Sequence, residues 1–171
     1  LNNAGLVRHV GQGRLQFDRG PSATLRNLPG GTYQFEADCS FSDVSCCNAV
    51  RWENRGLVRK IGGTNITTIG VPFNSLSGTV EVNTGRLSLA NDGSSVDGAF
   101  IIAAGASVDL TGGQSPTWAG RMVGTGAGQL ELTSGRLNAA GLTLDCAPGL
   151  LQWSGGVLAG LATNLNTLLL T

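Results

Sequence analysis

At 171 residues the chain is long enough for one well-buried domain and does not require two. Its 27 glycines, 5% aromatic residues and 13% charged residues describe a turn-rich, apolar chain that folds, which excludes a disordered polar tract. Eleven basic residues balance eleven acidic ones, so no net field draws phosphate backbones or anionic lipid, and nucleic acid is not an expected partner.

The chain opens on Leu1-Asn2-Asn3-Ala4-Gly5-Leu6-Val7-Arg8-His9-Val10-Gly11, with no Met and no signal peptide before Leu1; it reads as a processed product or a segment of something longer. Short strands follow at Arg14–Phe17 and Gly31–Phe35, each with apolar residues at alternate positions. A cysteine-rich insertion is expected at about 38–48, holding Cys39, Cys46 and Cys47. A disulfide from Cys39 to Cys46 or Cys47 would close a small loop and suits an oxidising compartment. Zinc fits less well, because Cys-x6-Cys-Cys is not a usual ligand spacing and His9 is the one histidine. Neither a metal nor a cofactor is expected.

Trp52–Gly62 then repeats Leu1–Gly11 with an offset of 51 residues: Asn54-Arg55-Gly56-Leu57-Val58-Arg59-Lys60 echoes Asn3-Ala4-Gly5-Leu6-Val7-Arg8-His9. On this alignment His9 stands opposite Lys60 and reads as a solvent-facing polar position. Further strands are expected at Asn65–Ile69, Gly98–Ile102, Ser107–Leu110, Leu142–Leu144 and Thr167–Leu170. A second repeat pair, Gly78–Leu87 and Gly128–Leu137, matches at an offset of 50 residues. In Val80-Glu81-Val82 and Leu130-Glu131-Leu132 the alternation sends the apolar side chains inward and the glutamates outward.

No window carries an amphipathic helix, and recurrence at a near-constant offset has a cause in a solenoid but none in a sandwich. The expected fold is an all-β, right-handed parallel β-helix, one domain over residues 1–171, with about six to eight coils. Asn2, Asn3, Asn54, Asn83 and Asn138 fall at or near its corners, where asparagine tolerates left-handed backbone and can bond along a ladder.

The units Asn54–Lys60, Thr67–Ile69, Gly78–Leu89 and Gly98–Ala106, together with Leu151–Gly160, resemble those of long bacterial surface proteins with repetitive β-helices, similar to autotransporter passengers and filamentous-haemagglutinin-type adhesins. That resemblance implies a secreted, extracellular or cell-surface rod, stalk or adhesin, and transfers no catalytic residue.

Most polar residues read as architecture. One histidine and no protease or esterase signature leave a hydrolytic triad without its parts. Glu81, Asp92, Asp97, Asp109 and Glu131 would serve a polysaccharide-active enzyme only if two of them met in a cleft; as solvated strand residues they need no such role. Arg8, Arg59, Arg86 and Arg136 read as outward ladder residues able to pair with Glu81 or Glu131. Trp118, in the loop-like stretch Gln114–Gly120, is the candidate glycan contact; Trp52 and Trp153 read as core. Cys146 is either a buried single thiol or a link to a neighbouring chain. Ala147–Thr171 carries no charge, but Gln152, Asn164, Asn166 and its glycines break it, so no membrane span is expected.

Neither terminal segment offers a polar cap. Leu1, Leu6 and Val7 at one end and Leu168, Leu169 and Leu170 at the other are therefore the candidate stacking surfaces, for head-to-tail self-association into a filament or for a place within a longer polypeptide. The expected function is that of a structural protein, not an enzyme. The alternative is an adhesin or carbohydrate-binding module whose partners are glycans or other surface proteins; a polysaccharide-active enzyme comes third.

Overall fold

A computed structural model describes residues 1–17, 23–43 and 50–171. The described residues form strands, turns and bends, without helix, and wind into a parallel β-solenoid of about seven turns. The first rung is β1 (Asn2–Asn3), β2 (Leu6–His9) and β3 (Arg14–Phe17), which open the first, second and third faces. The same order repeats in β4 (Ala23–Asn27), β5 (Thr32–Phe35) and β6 (Ser40–Asp43), then in β7 (Val50–Asn54), β8 (Leu57–Lys60) and β9 (Ile66–Gly70), then in β10 (Phe73–Ser75), β11 (Thr79–Val82) and β12 (Arg86–Leu89).

Beyond this point the first and second faces run together as one long strand per rung. These are β13 (Ser94–Ile102), β15 (Thr117–Gly126), β17 (Arg136–Cys146) and β19 (Val157–Asn164), which alternate with third-face strands β14 (Ser107–Asp109), β16 (Gln129–Leu132), β18 (Leu151–Trp153) and β20 (Leu169–Leu170). A bulge in each successive pairing of the long strands keeps the bend between faces. Asp97, Gly120 and Gly141 take left-handed backbone there, which glycine does without strain.

Every pairing is parallel and registers one rung on the next. On the second face the inward columns are Val7, Tyr33, Val58, Val80, Phe100 and, beside it, His9, Phe35, Lys60, Val82, Ile102. The early rungs fill the core with aromatics around Trp52, whose ring lies 4.6 Å from Tyr33, 4.9 Å from Phe41 and 5.9 Å from Phe73. The late rungs fill it with leucines, among them Leu130, Leu132, Leu137, Leu142 and Leu144. Stacking at about 4.8 Å per rung makes a rod about 35 Å tall.

The two sequence repeats fare differently. Leu1–Gly11 and Trp52–Gly62 are structural equivalents two rungs apart: both run from the first face into the second. Gly78–Leu87 and Gly128–Leu137 are not, since β11 lies on the second face and β16 on the third. What recurs there is a strand–turn–strand corner, moved one face round the rod, because a rung is not of fixed length: Leu6 to its partner Thr32 is 26 residues, and Leu144 to its partner Asn164 is 20.

Candidate functional site

The first-to-second-face corner carries a continuous polar column. Asn3, Asn27 and Asn54 are in register and buried. Asn3 Nδ2 donates to Asn27 Oδ1 at 2.8 Å and to the Thr32 carbonyl at 2.9 Å. Asn27 Nδ2 donates to Asn54 Oδ1 at 3.0 Å and to the Leu57 carbonyl at 3.0 Å, and Asn54 Nδ2 to the Thr79 carbonyl at 3.2 Å. A carboxamide has a donor and an acceptor at opposite corners of one plane, so stacked copies satisfy each other along the axis as no hydroxyl does. Asn3 and Asn54 were legible as corner residues; Asn27 was missed, although Asn27-Leu28-Pro29-Gly30-Gly31 has the composition of a turn. Close stacking here also demands glycine. A Cβ on Gly56 would lie 2.3 Å from the Gly31 carbonyl oxygen.

The column changes along the rod. Ser75 follows Asn54, its N–H bonded to Ser95 Oγ at 2.9 Å, and then come Trp118, Ala139 and Gly160. Trp118 is thus a strand residue, 1% exposed, with its ring 5.6 Å from Phe100. The glycan contact expected of it is withdrawn: Pro116 and Gly120 read as a loop, but the residue between them follows the buried register of its column.

Lys60 overturns the second expectation. It is 0% exposed and points inward between Phe35 and Val82, and its ammonium bonds Asp38 Oδ1 at 2.8 Å and the Gly62 and Gly63 carbonyls at 2.7 and 3.2 Å. Three donors meet three acceptors, which is how a buried ammonium is retained. Lys60 donates to the Asp38 carboxylate and Asn65 donates to it twice more, which holds it below the usual range. The equivalent His9 is half-buried rather than solvent-facing, 5.8 Å from the Phe35 ring and in hydrogen-bond contact with Tyr33 Oη at 3.3 Å.

Most of the outward arginines join rungs, while Arg136 bonds within its own strand. Arg8 binds Glu36 at 2.6 and 2.8 Å, which holds that carboxylate low; Arg59 donates to Gln34 at 2.6 Å, Arg136 to Asn138 at 2.9 Å, and Arg121 pairs with Asp145. Arg86 reaches Asp109 in the next rung at 2.9 Å and Glu131 in the one after. Its Nη1 lies 2.8 Å from Glu131 Oε2, in charge contact but outside hydrogen-bond alignment. Burial, partly offset by Arg86, pushes the Glu131 carboxyl up. Asp109 and Glu131 are the one neighbouring pair among the five carboxylates considered from sequence. Asp109 is fully engaged: Oδ1 accepts from the Thr111 and Gly112 amides while Oδ2 takes Arg86. Glu81, Asp92 and Asp97 instead bond Asn83, the Ser115 amide and the Arg121 amide.

Cys39 and Cys146 are free, buried thiols, each pushed up to about 11 by desolvation. Cys146 faces the core and is 2% exposed. Of the disulfide candidates, Cys46 and Cys47 lie outside the described residues, as do residues 44–48 of the expected insertion, and Cys39 precedes β6, a third-face strand. Among the described residues no group of three or more His, Cys, Asp or Glu could hold a metal ion, and no helix is long and apolar enough to cross a membrane.

The candidate stacking residues fall at opposite ends of the rod. Leu1 and Leu6 are exposed at one end while Val7 packs on the core; Leu169 and Leu170 are exposed at the other, with Leu168 against the core. A narrow apolar cavity opens at this second end between Leu132, Leu137, Leu151, Trp153, Leu158 and Leu168. Among the described residues, strands β1, β2 and β3 pair on one side only, as do β19 and β20. Comparison with protein-family models, with curated proteins and with solved structures returned no match.

Proposed function

We propose that the chain is a structural rod unit of a bacterial surface or extracellular fibre or stalk, of the kind that autotransporter-passenger and filamentous-haemagglutinin-like proteins build. Further solenoid rungs extend it at its ends, through head-to-tail stacking of copies or within one longer polypeptide. The observation that carries this reading is the one-sided pairing of β1, β2, β3, β19 and β20, with core leucines reaching the surface beside them. A half-paired parallel edge over an open core is a template for another strand. The polar groups inside the rod serve stacking too: the Asn column, Lys60–Asp38 and Arg86–Asp109–Glu131 each tie one rung to the next.

Electron microscopy of the purified protein at rising concentration tests self-stacking. Short rods joined end to end, with an axial repeat near the rod height of about 35 Å, are expected; single particles at every concentration would refute that form.

A further inference from the structure

The two ends of the rod differ at one column. At the N-terminal end it shows Asn3, at the C-terminal end Gly160, and these positions are in register through Asn27, Asn54, Ser75, Ser95, Trp118 and Ala139. Asn54 Oδ1 accepts two hydrogen bonds, from Asn27 Nδ2 and from the Gly56 amide. Asn3 is also buried, yet among the described residues its Oδ1 takes only the second of these, from the Gly5 amide at 3.1 Å. A rung stacked on the outer side of β1 would bring an amide able to supply the first.

The neighbouring backbone makes the same demand. Each asparagine also donates to the carbonyl that opens the next rung's second-face strand, Thr32 for Asn3 and Leu57 for Asn27; the equivalent carbonyl at the end is that of Leu6. The Thr32 and Leu57 amides bond back to Gly5 and Gly31 at 2.7 and 2.9 Å, and the Leu6 amide is their counterpart on the outer side of β2.

We propose that the N-terminal face of the rod is a docking surface for a parallel solenoid rung bearing asparagine at this corner, which donates to Asn3 Oδ1 and to the Leu6 carbonyl. The inference rests on the rod reading and adds which rung fits. The rod's own last rung is the poorer occupant. It closes the backbone ladder but brings Gly160, which has no donor, while Asn164 of the same strand is spent on the Asn166 carbonyl.

The surface can be tested by appending one rung ahead of Leu1 in the full chain. A copy of residues 52–72 is in phase, because Trp52 and Phe73 are partners and Phe73 occupies the place of Leu1; it brings Asn54. A copy of residues 137–157 is in phase and of equal length but brings Ala139. A third form is the 52–72 copy with its Asn54→Ala substitution. Hydrogen exchange at the Leu6 amide reads docking directly, and the Asn3 side-chain amide resonances read the new bond.

Two added hydrogen bonds predict about tenfold greater protection of Leu6 by the asparagine rung than by the other two, with a shift of the Asn3 resonances in that form alone. Equal protection by all three would overturn the asparagine preference and leave the rod reading standing. No added protection from any of them would overturn both.

Discussion

Replacing Lys60 by methionine keeps an unbranched side chain of similar length in the core column and removes the ammonium. Three hydrogen bonds go with it, to Asp38 Oδ1, Gly62 and Gly63. Removing one partner of a buried pair costs about 3–5 kcal/mol when the remaining charge is stranded. Asp38 is not stranded, because it keeps two bonds from Asn65 and its side chain is 18% exposed, so the expected loss is about 2–3 kcal/mol. Lys60→Ala also deletes three methylenes at about 0.8 kcal/mol each and should lose about 4–5 kcal/mol. Urea denaturation at neutral pH measures both. The Asp38→Asn variant completes a double-mutant cycle in which Lys60→Met and Asp38→Asn should couple by about 1–2 kcal/mol. A Lys60→Met protein within about 0.5 kcal/mol of the parent, or strict additivity in the cycle, would show that the ammonium is a tolerated passenger and not a tie between rungs.

Three further outcomes are expected. Asn27→Leu breaks the amide column at its middle, removing the bonds from Asn3 Nδ2 to Asn27, from Asn27 to Asn54 Oδ1 and from Asn27 to the Leu57 carbonyl, and should destabilise the rod by about 2–4 kcal/mol in the same urea assay; a loss under about 1 kcal/mol would refute the account of the corner. Cys39 and Cys146, buried and pushed up to about 11, should resist a thiol reagent at about pH 8 in the native state and react once unfolded, as read by peptide mapping; rapid native labelling of either would contradict its placement. The third concerns acid. Glu36 and Asp38 have depressed folded values, so the stability they contribute is complete above their unfolded values near 4 and is lost as pH falls through the folded ones. Glu131 is raised by burial, so its ionised form costs stability, which returns as pH falls through its raised value. Urea midpoints should therefore hold or rise slightly from neutral pH to about 5 and fall below about 4, with Glu131→Gln removing the early rise alone; a steady fall from neutral pH onward would contradict the Glu131 environment.

Period-2 alternation, read from residues two apart, was enough to identify strands and to place Val80 and Val82 inward and Glu81 outward, because the pleat alone sets that choice. The same rule, applied to Val58 and Lys60, would have sent Lys60 into the core; its charge argued otherwise, and Asp38, a rung away and 22 residues back, was the partner that sequence could not supply. Trp118 went astray for a related reason: Pro116 and Gly120 are turn-formers locally, while burial depends on what the rungs above and below present. Which face a strand occupies was beyond the sequence as well. The Gly78–Leu87 and Gly128–Leu137 motifs match closely and lie on different faces, since the number of residues between corners varies from rung to rung. Sequence by itself determined the parallel solenoid and its approximate number of coils, through the recurrence of Leu1–Gly11 at Trp52–Gly62, and the inward and outward sides of its strands, through the pleat. Tertiary structure alone decided the columns, where a side chain's environment comes from residues more than twenty positions away, and so decided that Asn3, Asn27 and Asn54 form one ladder whose first acceptor still faces outward.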